Sequence, residues 1–181
     1  MLIRSGDVTL VSFDVAHTDV VLELRNHSTV RPHMRDPSPI SRESHYGWVQ
    51  ENLIDARRVH LFVAFSGDEP VGITLLRNFR DKAAEIGVMV IEAEQRPLTC
   101  YAAAHLIAFY AFEVLDIESL YSYVPRHNER ALSFNSRCGF EPTAARSDVY
   151  HELVFARSRY RADPTHRRFR EKHGIEVIGS A

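Results

Sequence analysis

The junction between a strand-like run and a helix-like run constrains this chain most. From Glu85 to Ile91 the residues alternate between two faces, with Glu85, Gly87 and Met89 on one face. Tyr101 to Leu115 is a long apolar run typical of a helix, and Glu92 to Cys100 connects the two runs. A rigid strand that leads directly into a long buried helix is typical of an α/β domain.

Length and composition predict one domain. A chain of 181 residues with 45% hydrophobic residues can bury one core, and is hardly long enough for two. No apolar run approaches the length of about 18 residues that spans a bilayer, and the N-terminus lacks a signal-peptide pattern. We therefore expect a cytoplasmic protein with no membrane partner.

Cysteine and histidine usage predicts neither disulfides nor a metal site. Two cysteines, Cys100 and Cys138, are too few for a disulfide framework. The ten histidines include none at a metal-ligand spacing with cysteine or carboxylate. We expect no bound metal.

Hydrophobic periodicity and turn-forming residues predict the helices and strands in the first half of the chain. Prolines make the stretch from Ser28 to Pro39 a loop, and Gly67 to Glu69 indicates a hairpin. The remaining patterns predict strand Val8 to Phe13, helix His17 to His27, helix Ser41 to Ala56, and strands His60 to Ser66 and Pro70 to Arg77.

Positive charge is concentrated near the C-terminus. The formal net charge is only −2, but Arg157 to Lys172 contains seven Lys and Arg against Asp163 and Glu171. Such a segment is either a docking surface for phosphates or a solvated end, and a solvated end is the simpler interpretation.

Several motifs occur in an order and spacing that resemble one known family. They are Ala84-Glu-Ile-Gly-Val-Met-Val90, Tyr110-Ala-Phe112, Leu120-Tyr-Ser-Tyr-Val124, Asn128-Glu-Arg-Ala131 and Cys138-Gly-Phe140. Together they resemble the central strand, long helix and C-terminal elements of the GNAT superfamily of N-acetyltransferases. The upstream part of the chain resembles the ribosomal-protein and amino-sugar N-acetyltransferase branches of this superfamily. The residues that carry this resemblance are Arg25, Asn26, Val30, Arg31, Met34, Ile40, His45 and Trp48.

The resemblance covers roughly residues 7 to 156 and implies a fold. It implies an α/β (α+β) single-domain GNAT fold, with a mixed, mostly antiparallel central sheet of six to seven strands flanked by about four helices. We expect residues 1–157 to form this domain and residues 158–181 to form a basic extension.

The resemblance also implies a donor site for acetyl-coenzyme A (acetyl-CoA) or another acyl-CoA. The backbone of Val88, Met89 and Val90 would pair with the pantetheine arm as an added strand. In the family, a loop of pattern Gln/Arg-x-x-Gly-x-Gly/Ala presents backbone N–H groups to the pyrophosphate. Here Gln95 matches, but Leu98 and Cys100 occupy the small-residue positions, so the loop is degenerate. Further expected contacts come from Arg96, Thr99, Tyr101 and Asn128.

Catalytic and acceptor residues follow from the same resemblance. Glu85 is the expected base or water-orienting group, although an ordinary strand glutamate would fit the pattern equally. Asn135 stands where the family often has a tyrosine acid, and an amide cannot supply that proton. Candidate acids are Tyr101, Tyr121, Tyr123 and Tyr150, and candidate acceptor residues are Arg25, Asn26, Arg31, Tyr46 and Trp48.

Three function classes stay open at this point. One is an N-acyltransferase that moves an acyl group from acyl-CoA to a primary amine of a small molecule or peptide. The second uses an aminoacyl-tRNA donor, held through Arg157 to Lys172, and the third is a non-catalytic binding protein. A homodimer formed through the strand near Val149 to Phe155 is a further possibility.

Overall fold

One mixed sheet runs through the whole molecule. The computed structural model describes residues 1–34, 36–145 and 147–179. In these residues the sheet has nine strands in the order β7-β8-β6-β5-β4-β3-β2-β1-β9, and only β5 and β6 pair in parallel. The strands are Leu2–Ser5 (β1), Val8–Ser12 (β2), His60–Ser66 (β3), Glu69–Arg80 (β4), Ala83–Val90 (β5), Ser119–Pro125 (β6), Glu141–Pro142 (β7), Tyr150–Ala156 (β8) and Glu176–Ile178 (β9).

Six α-helices flank the sheet within the described residues. They are Thr18–Asn26 (α1), Arg42–Val49 (α2), Pro97–Phe109 (α3), Glu129–Arg137 (α4), Arg157–Ala162 (α5) and Pro164–His173 (α6). Helix α2 continues into the π-helical turn Gln50–Asp55, and α3 into Tyr110–Val114. Both predicted N-caps are confirmed, because the Ser41 and Asn128 side chains accept hydrogen bonds from the first turns of α2 and α4.

Each face of the sheet packs against its own helices. On one face, Ile86 of β5 lies in a large core with α3 residues such as Leu106 and Ile107. On the other face, Val21 and Leu24 of α1 pack against the sheet in a smaller cluster that includes Met89. Strand β5 therefore contributes side chains to two separate environments, as its alternating pattern predicts.

The sheet is larger than the six to seven strands expected, and that expectation is corrected. The additional strands β1, β7 and β9 have four, two and three residues. Runs this short carry too little alternation to be recognised without their pairing partners. Pairing with β2 and β9 identifies β1.

Helix α3 begins four residues earlier than the apolar run predicts. Pro97 occupies its first turn, where a missing N–H costs nothing. Leu98 and Cys100 consequently lie inside the helix and not in a loop. The 18-residue segment Pro97–Val114 is also long and apolar enough to span a membrane by length and composition, which corrects the expectation that no run approaches this length. Since 61% of it is buried within the protein, it has the burial of a core helix.

The segment after β8 packs one face onto the domain, while basic side chains such as Arg161 and Arg167 stay exposed, so the interpretation of a solvated end holds only for its charged face. Tyr160 of α5 is 1% exposed and His166 of α6 is 2% exposed. Strand β9 closes the segment by pairing antiparallel with β1. The side chains of Lys172 and His173, Arg35, Arg146 and residues 180–181 lie outside the described part of the protein.

Strand β8 is not the outermost strand of the sheet. The two-residue strand β7 pairs with Leu153 and Val154. The rest of β8 has no strand partner on that side within the described residues. A second copy of the chain could pair only with the residues of β8 that β7 does not cover, so the homodimer stays a prediction.

Candidate active site

A gap opens between β5 and β6 where their pairing ends. The parallel ladder runs from Ala83–Ser119 to Glu85–Tyr121 and then stops. Beyond it, residues 86–90 pair only with β4 on their other side. The backbone groups of this segment that face β6 are therefore left without a strand partner, and an extended ligand could hydrogen-bond to them.

Helix α3 begins just beyond this gap. A turn over residues 91–95 leads to Arg96, and the Cys100 N–H is bonded to the Arg96 carbonyl at 3.1 Å. Because Pro97 has no N–H, the unpaired donors of the first turn are those of Leu98 and Thr99. The Leu98 side chain is 82% exposed beside them.

The cations near the start of α3 already have carboxylate partners. The Arg96 Nη2 donates to both carboxylate oxygens of Glu69, each at 3.0 Å. Across the gap, Arg130 of α4 bonds to Glu94 in the turn at 2.8 Å. Gln95 is exposed in the same turn. An anion at this end of the gap would therefore interact with two backbone N–H groups and the helix dipole, and not with unpaired side-chain cations.

Helix α4 forms the far wall of this region. The Asn128 Oδ1 accepts the Ala131 N–H at 3.0 Å, and the Asn135 Nδ2 donates to the Ala131 carbonyl at 2.8 Å. Tyr101 packs its ring on Phe134 at a centroid distance of 5.1 Å. Both asparagines thus have observed structural roles, and their contacts with a ligand stay predictions.

Glu85 is held by two donors from β4. Its Oε1 accepts from Arg77 Nε at 3.0 Å and Arg77 Nη2 at 2.5 Å, and its Oε2 accepts from Asn78 Nδ2 at 2.6 Å. The Glu85 side chain is 15% exposed. The carboxylate is fixed at the point where β5 and β6 separate, and its role in catalysis stays a prediction.

A pocket of about 420 Å³ lies against the Glu85 partners. Its wall contains Trp48, Asn52, Arg58, Val59, Arg77, Asn78 and Phe79. Trp48 was expected on the acceptor side and does line this pocket. Arg58, Arg77, Asn78 and Phe79 were missed, although the register of a β4–β5 hairpin would have placed Arg77 opposite Glu85.

Arg25 lies on the same side of the sheet as the pocket. Its Nη1 donates to the thioether sulfurs of Met34 at 2.7 Å and Met89 at 3.1 Å. Burial lowers the pKa of Arg25, and the neighbouring Arg77 guanidinium lowers it further. Among the described residues, Arg25 has no carboxylate within ion-pair distance.

The other predicted acceptor residues do not line the pocket. Asn26 bonds to both the N–H and the carbonyl of Ile40, each at 2.8 Å, and so anchors the loop before α2. Tyr46 donates to Asp19 at 2.9 Å on the outer surface. The Arg31 Nε is buried without a hydrogen-bond partner in the described protein. Direct acceptor contacts of these three residues stay predictions.

No cluster suited to a metal ion occurs in residues 1–34, 36–145 and 147–179. Groups of three His, Cys, Asp or Glu side chains that could hold an ion are absent there. The buried cysteines are unsuited to nucleophilic chemistry as well. Burial raises the pKa of the Cys100 thiol to about 11 and that of Cys138 to about 12.

Comparison with protein families gives a match over most of the chain. Residues 7–141 match the family described as acetyltransferase (GNAT) domain. No curated protein matches the chain by sequence.

Solved structures of several acetyltransferases have a similar fold. The Vibrio cholerae spermidine N-acetyltransferase in complex with CoA and spermine has a TM-score of 0.74 at 16% identity, covering 85% of this chain and 98% of that chain. The apo form of FdhC, described as a nucleotide-linked sugar GNAT, has a TM-score of 0.77 at 18% identity, covering 93% and 98%. A dodecameric form of the Vibrio cholerae enzyme has a TM-score of 0.67 at 16% identity, covering 85% and 96%.

Proposed function

Because this chain belongs to the acetyltransferase (GNAT) domain family, we propose that it transfers an acyl group, in particular acetyl, from acyl-CoA to a primary amine of a small molecule or peptide. The observation that carries this proposal is the end of the β5–β6 ladder at Glu85–Tyr121. It leaves an extended backbone edge that leads directly to the first turn of a long helix.

The proposed donor site uses both ends of that edge. The free backbone of Val88, Met89 and Val90 receives the pantetheine arm, and the Leu98 and Thr99 N–H groups receive the pyrophosphate. Gln95, Arg96, Tyr101 and Asn128 border this path. Since glycines are absent from the helix start, we propose that it contacts the pyrophosphate less closely than a glycine-containing loop would.

The proposed reaction places the acceptor amine on the Glu85 side of the gap. The amine nitrogen bonds to the thioester carbonyl carbon, the carbon–sulfur bond breaks, and CoA leaves as a thiolate that takes up a proton. The amine gives up one proton, directly or through a water molecule oriented by Glu85. A backbone N–H of residues 88–90 would stabilise the carbonyl oxygen as charge develops.

The similar structures support a small-molecule amine as acceptor and CoA as donor. One of them holds CoA and spermine, and another is described as dodecameric. These properties belong to those proteins. For this chain, self-association through the part of β8 that β7 leaves open is a proposal.

An acyl-CoA donor has more support than an aminoacyl-tRNA donor. Part of the basic segment that would hold tRNA is neutralised within the protein, because Arg157 pairs with Asp116 at 2.6 Å and Arg161 pairs with Glu113 at 3.2 Å. Arg159 pairs with Glu141 as well. Paired cations release few counterions on binding phosphates, so they add little affinity for RNA.

Thermal unfolding in the presence of acetyl-CoA tests the proposed function. A ligand at about a hundred times its Kd adds about 2.7 kcal/mol to the free energy of unfolding. We expect a clear rise in Tm with acetyl-CoA and none with N-acetylcysteamine thioester, which lacks the nucleotide. No rise at millimolar acetyl-CoA would contradict the proposed function.

A further inference from the structure

The pocket beside Glu85 has an excess of positive charge. Two arginines line it, Arg58 and Arg77, and its other lining residues are apolar or carry side-chain amides. Arg77 already neutralises Glu85 at 2.5 Å. Arg58 has no carboxylate partner in the described protein.

Arg25 adds a second cation without a counter-ion. Its guanidinium is part-buried and donates to two thioether sulfurs, which are weak acceptors. A desolvated cation with such partners is costly unless another group pairs with it. Nearby carboxylates do not fill that role, because Asp19 of the same helix is engaged by Arg42 and Tyr46.

Arg25 is not among the residues that line the pocket, but it lies on the same side of the sheet, where it contacts Met89 of β5. Burial lowers the pKa of Arg25, and the guanidinium of Arg77 in the pocket wall lowers it further. Burial lowers the pKa of His45 too, and the guanidinium of Arg25 adds to that shift. The His45 ring stacks on Trp48, which also lines the pocket, at 6.4 Å. A ligand in the pocket therefore has apolar surface from Trp48 and Phe79 beside the guanidinium of Arg58, which has no carboxylate partner in the described protein.

We infer that the acceptor is an amine that also carries a carboxylate, as an amino acid or a peptide with a free C-terminus does, and that Arg25 binds this carboxylate. The inference rests on the proposed function and specifies its substrate class. A guanidinium binds a carboxylate through paired hydrogen bonds, and the carboxylate supplies the missing counter-ion.

The same charges disfavour polyamines. Spermidine and spermine carry several ammonium groups, and Arg58 in the pocket wall together with Arg25 nearby repels the groups that do not react. The chain thus has the fold of the spermidine N-acetyltransferase but a pocket of the opposite preference. Selectivity between the two substrate classes would follow from electrostatic repulsion as much as from attraction.

Acyl transfer to matched amines tests the inference. The full chain is given acetyl-CoA and each standard amino acid, a set of dipeptides, their carboxamides, and spermidine, and released thiol is measured. We expect at least one carboxylate-bearing amine to have a kcat/KM roughly ten to a hundred times that of its carboxamide and of spermidine. The intrinsic reactivity of the amines would favour the opposite result. The amine of the carboxamide is less basic than that of the carboxylate, so a larger fraction of it is unprotonated and reactive at neutral pH.

Variants connect the preference to the proposed residue. We expect Arg25→Gln to raise the KM for the carboxylate substrate roughly ten- to a hundredfold and to remove most of its advantage over the carboxamide. Arg58→Gln, at an exposed position in the pocket wall, should change KM in the same direction. Arg4→Gln is the matched control, because Arg4 pairs with Glu176 at the distant β1–β9 edge.

Each failure has a distinct meaning. If acetyl-CoA binds and spermidine or the carboxamides are acylated as well as the carboxylates, or are acylated while no carboxylate-bearing amine is, the inference is overturned and the proposed function stands. If succinyl-CoA is preferred with a neutral amine, the carboxylate belongs to the acyl group, and the acceptor assignment is overturned. If acetyl-CoA neither binds nor reacts, the proposed function fails and the inference fails with it.

Discussion

Glu85 is a carboxylate whose two oxygens both accept hydrogen bonds from the neighbouring strand. Arg77 and Asn78 hold it at the end of the β5–β6 ladder. These donors hold both carboxylate oxygens in place and restrict rotation of the side chain, so a base or water-orienting group at this position is oriented before the substrate binds.

Replacement of Glu85 separates catalysis from positioning. If Glu85 acts as base or water-orienting group, Glu85→Gln should lower kcat roughly a hundredfold with little change in the KM for acetyl-CoA. Steady-state kinetics with the best acceptor measures this. Glu118→Gln is the control, since Glu118 is a solvent-exposed carboxylate paired with Lys82 at 3.7 Å. A kcat within threefold of the unmodified protein would show that the assignment is wrong, and a rise in acceptor KM alone would make Glu85 a positioning residue for Arg77.

At the scale of elements, the first turn of α3 is where we propose that the donor pyrophosphate binds. Its donors are the N–H groups of Leu98 and Thr99, and the exposed Leu98 side chain lies beside them. A branched side chain keeps a phosphate farther from the backbone than glycine does. The element is thus a helix N-terminus with the electrostatics of an anion site but without a close backbone approach.

Shortening the side chain of Leu98 tests this account. We expect Leu98→Gly to lower the Kd for acetyl-CoA severalfold, with a loss of at most about 1 kcal/mol in the free energy of unfolding from the added glycine. Isothermal titration measures the Kd. Leu98→Ala keeps the Cβ and should give a smaller change. If the glycine variant binds no more tightly than the alanine variant, the Leu98 side chain does not limit phosphate approach.

At the scale of the whole molecule, two buried histidines join the C-terminal segment to the central helix. His105 of α3 and His166 of α6 stack at a centroid distance of 4.0 Å and are 4% and 2% exposed. His105 Nε2 and His166 Nδ1 have no hydrogen-bond partner in the described protein. Burial, with the neighbouring His166, lowers the pKa of His105 to about 4. The two rings therefore stack in their neutral forms.

Acid should weaken the packing of α6 against α3 before it weakens the rest of the core. In the unfolded chain His105 has a pKa near 6.5, so as the pH falls below that value the unfolded state binds a proton that the folded state resists until about pH 4. From about pH 7 to about pH 5, the free energy of unfolding should fall by about 2 kcal/mol because of His105.

Urea unfolding at the two pH values measures this loss. His105→Phe keeps an aromatic ring against Phe169 and should remove the part of the pH dependence that His105 contributes, so its loss of stability should be smaller than that of the unmodified protein. His127→Gln is the control, because His127 is an exposed histidine in the turn before α4. If His105→Phe loses as much stability as the unmodified protein between these pH values, the titrating group lies elsewhere.

Several local features followed from the sequence alone. The alternation of β5, the N-caps Ser41 and Asn128, and the order of motifs around α3 and α4 gave the strands, helices and family, because each depends on residues close together in the chain. The start of α3 differs from the prediction, because residues 97–100 resemble part of a loop in the sequence although Pro97 begins the helix. The strands β1, β7 and β9 were missed because a short strand is defined by its partner.

The sequence determined the fold family and the alternation of β5, and the tertiary structure decided which charges meet beside that strand. Periodicity and capping are local, so they can be read along the chain. Arg25 meets Met89 of β5, Arg77 neutralises Glu85, and α6 packs against α3 only after distant segments come together. Charge balance in the pocket is a sum over such long-range contacts, and for that reason the preference for an anionic acceptor could be inferred only from the folded protein.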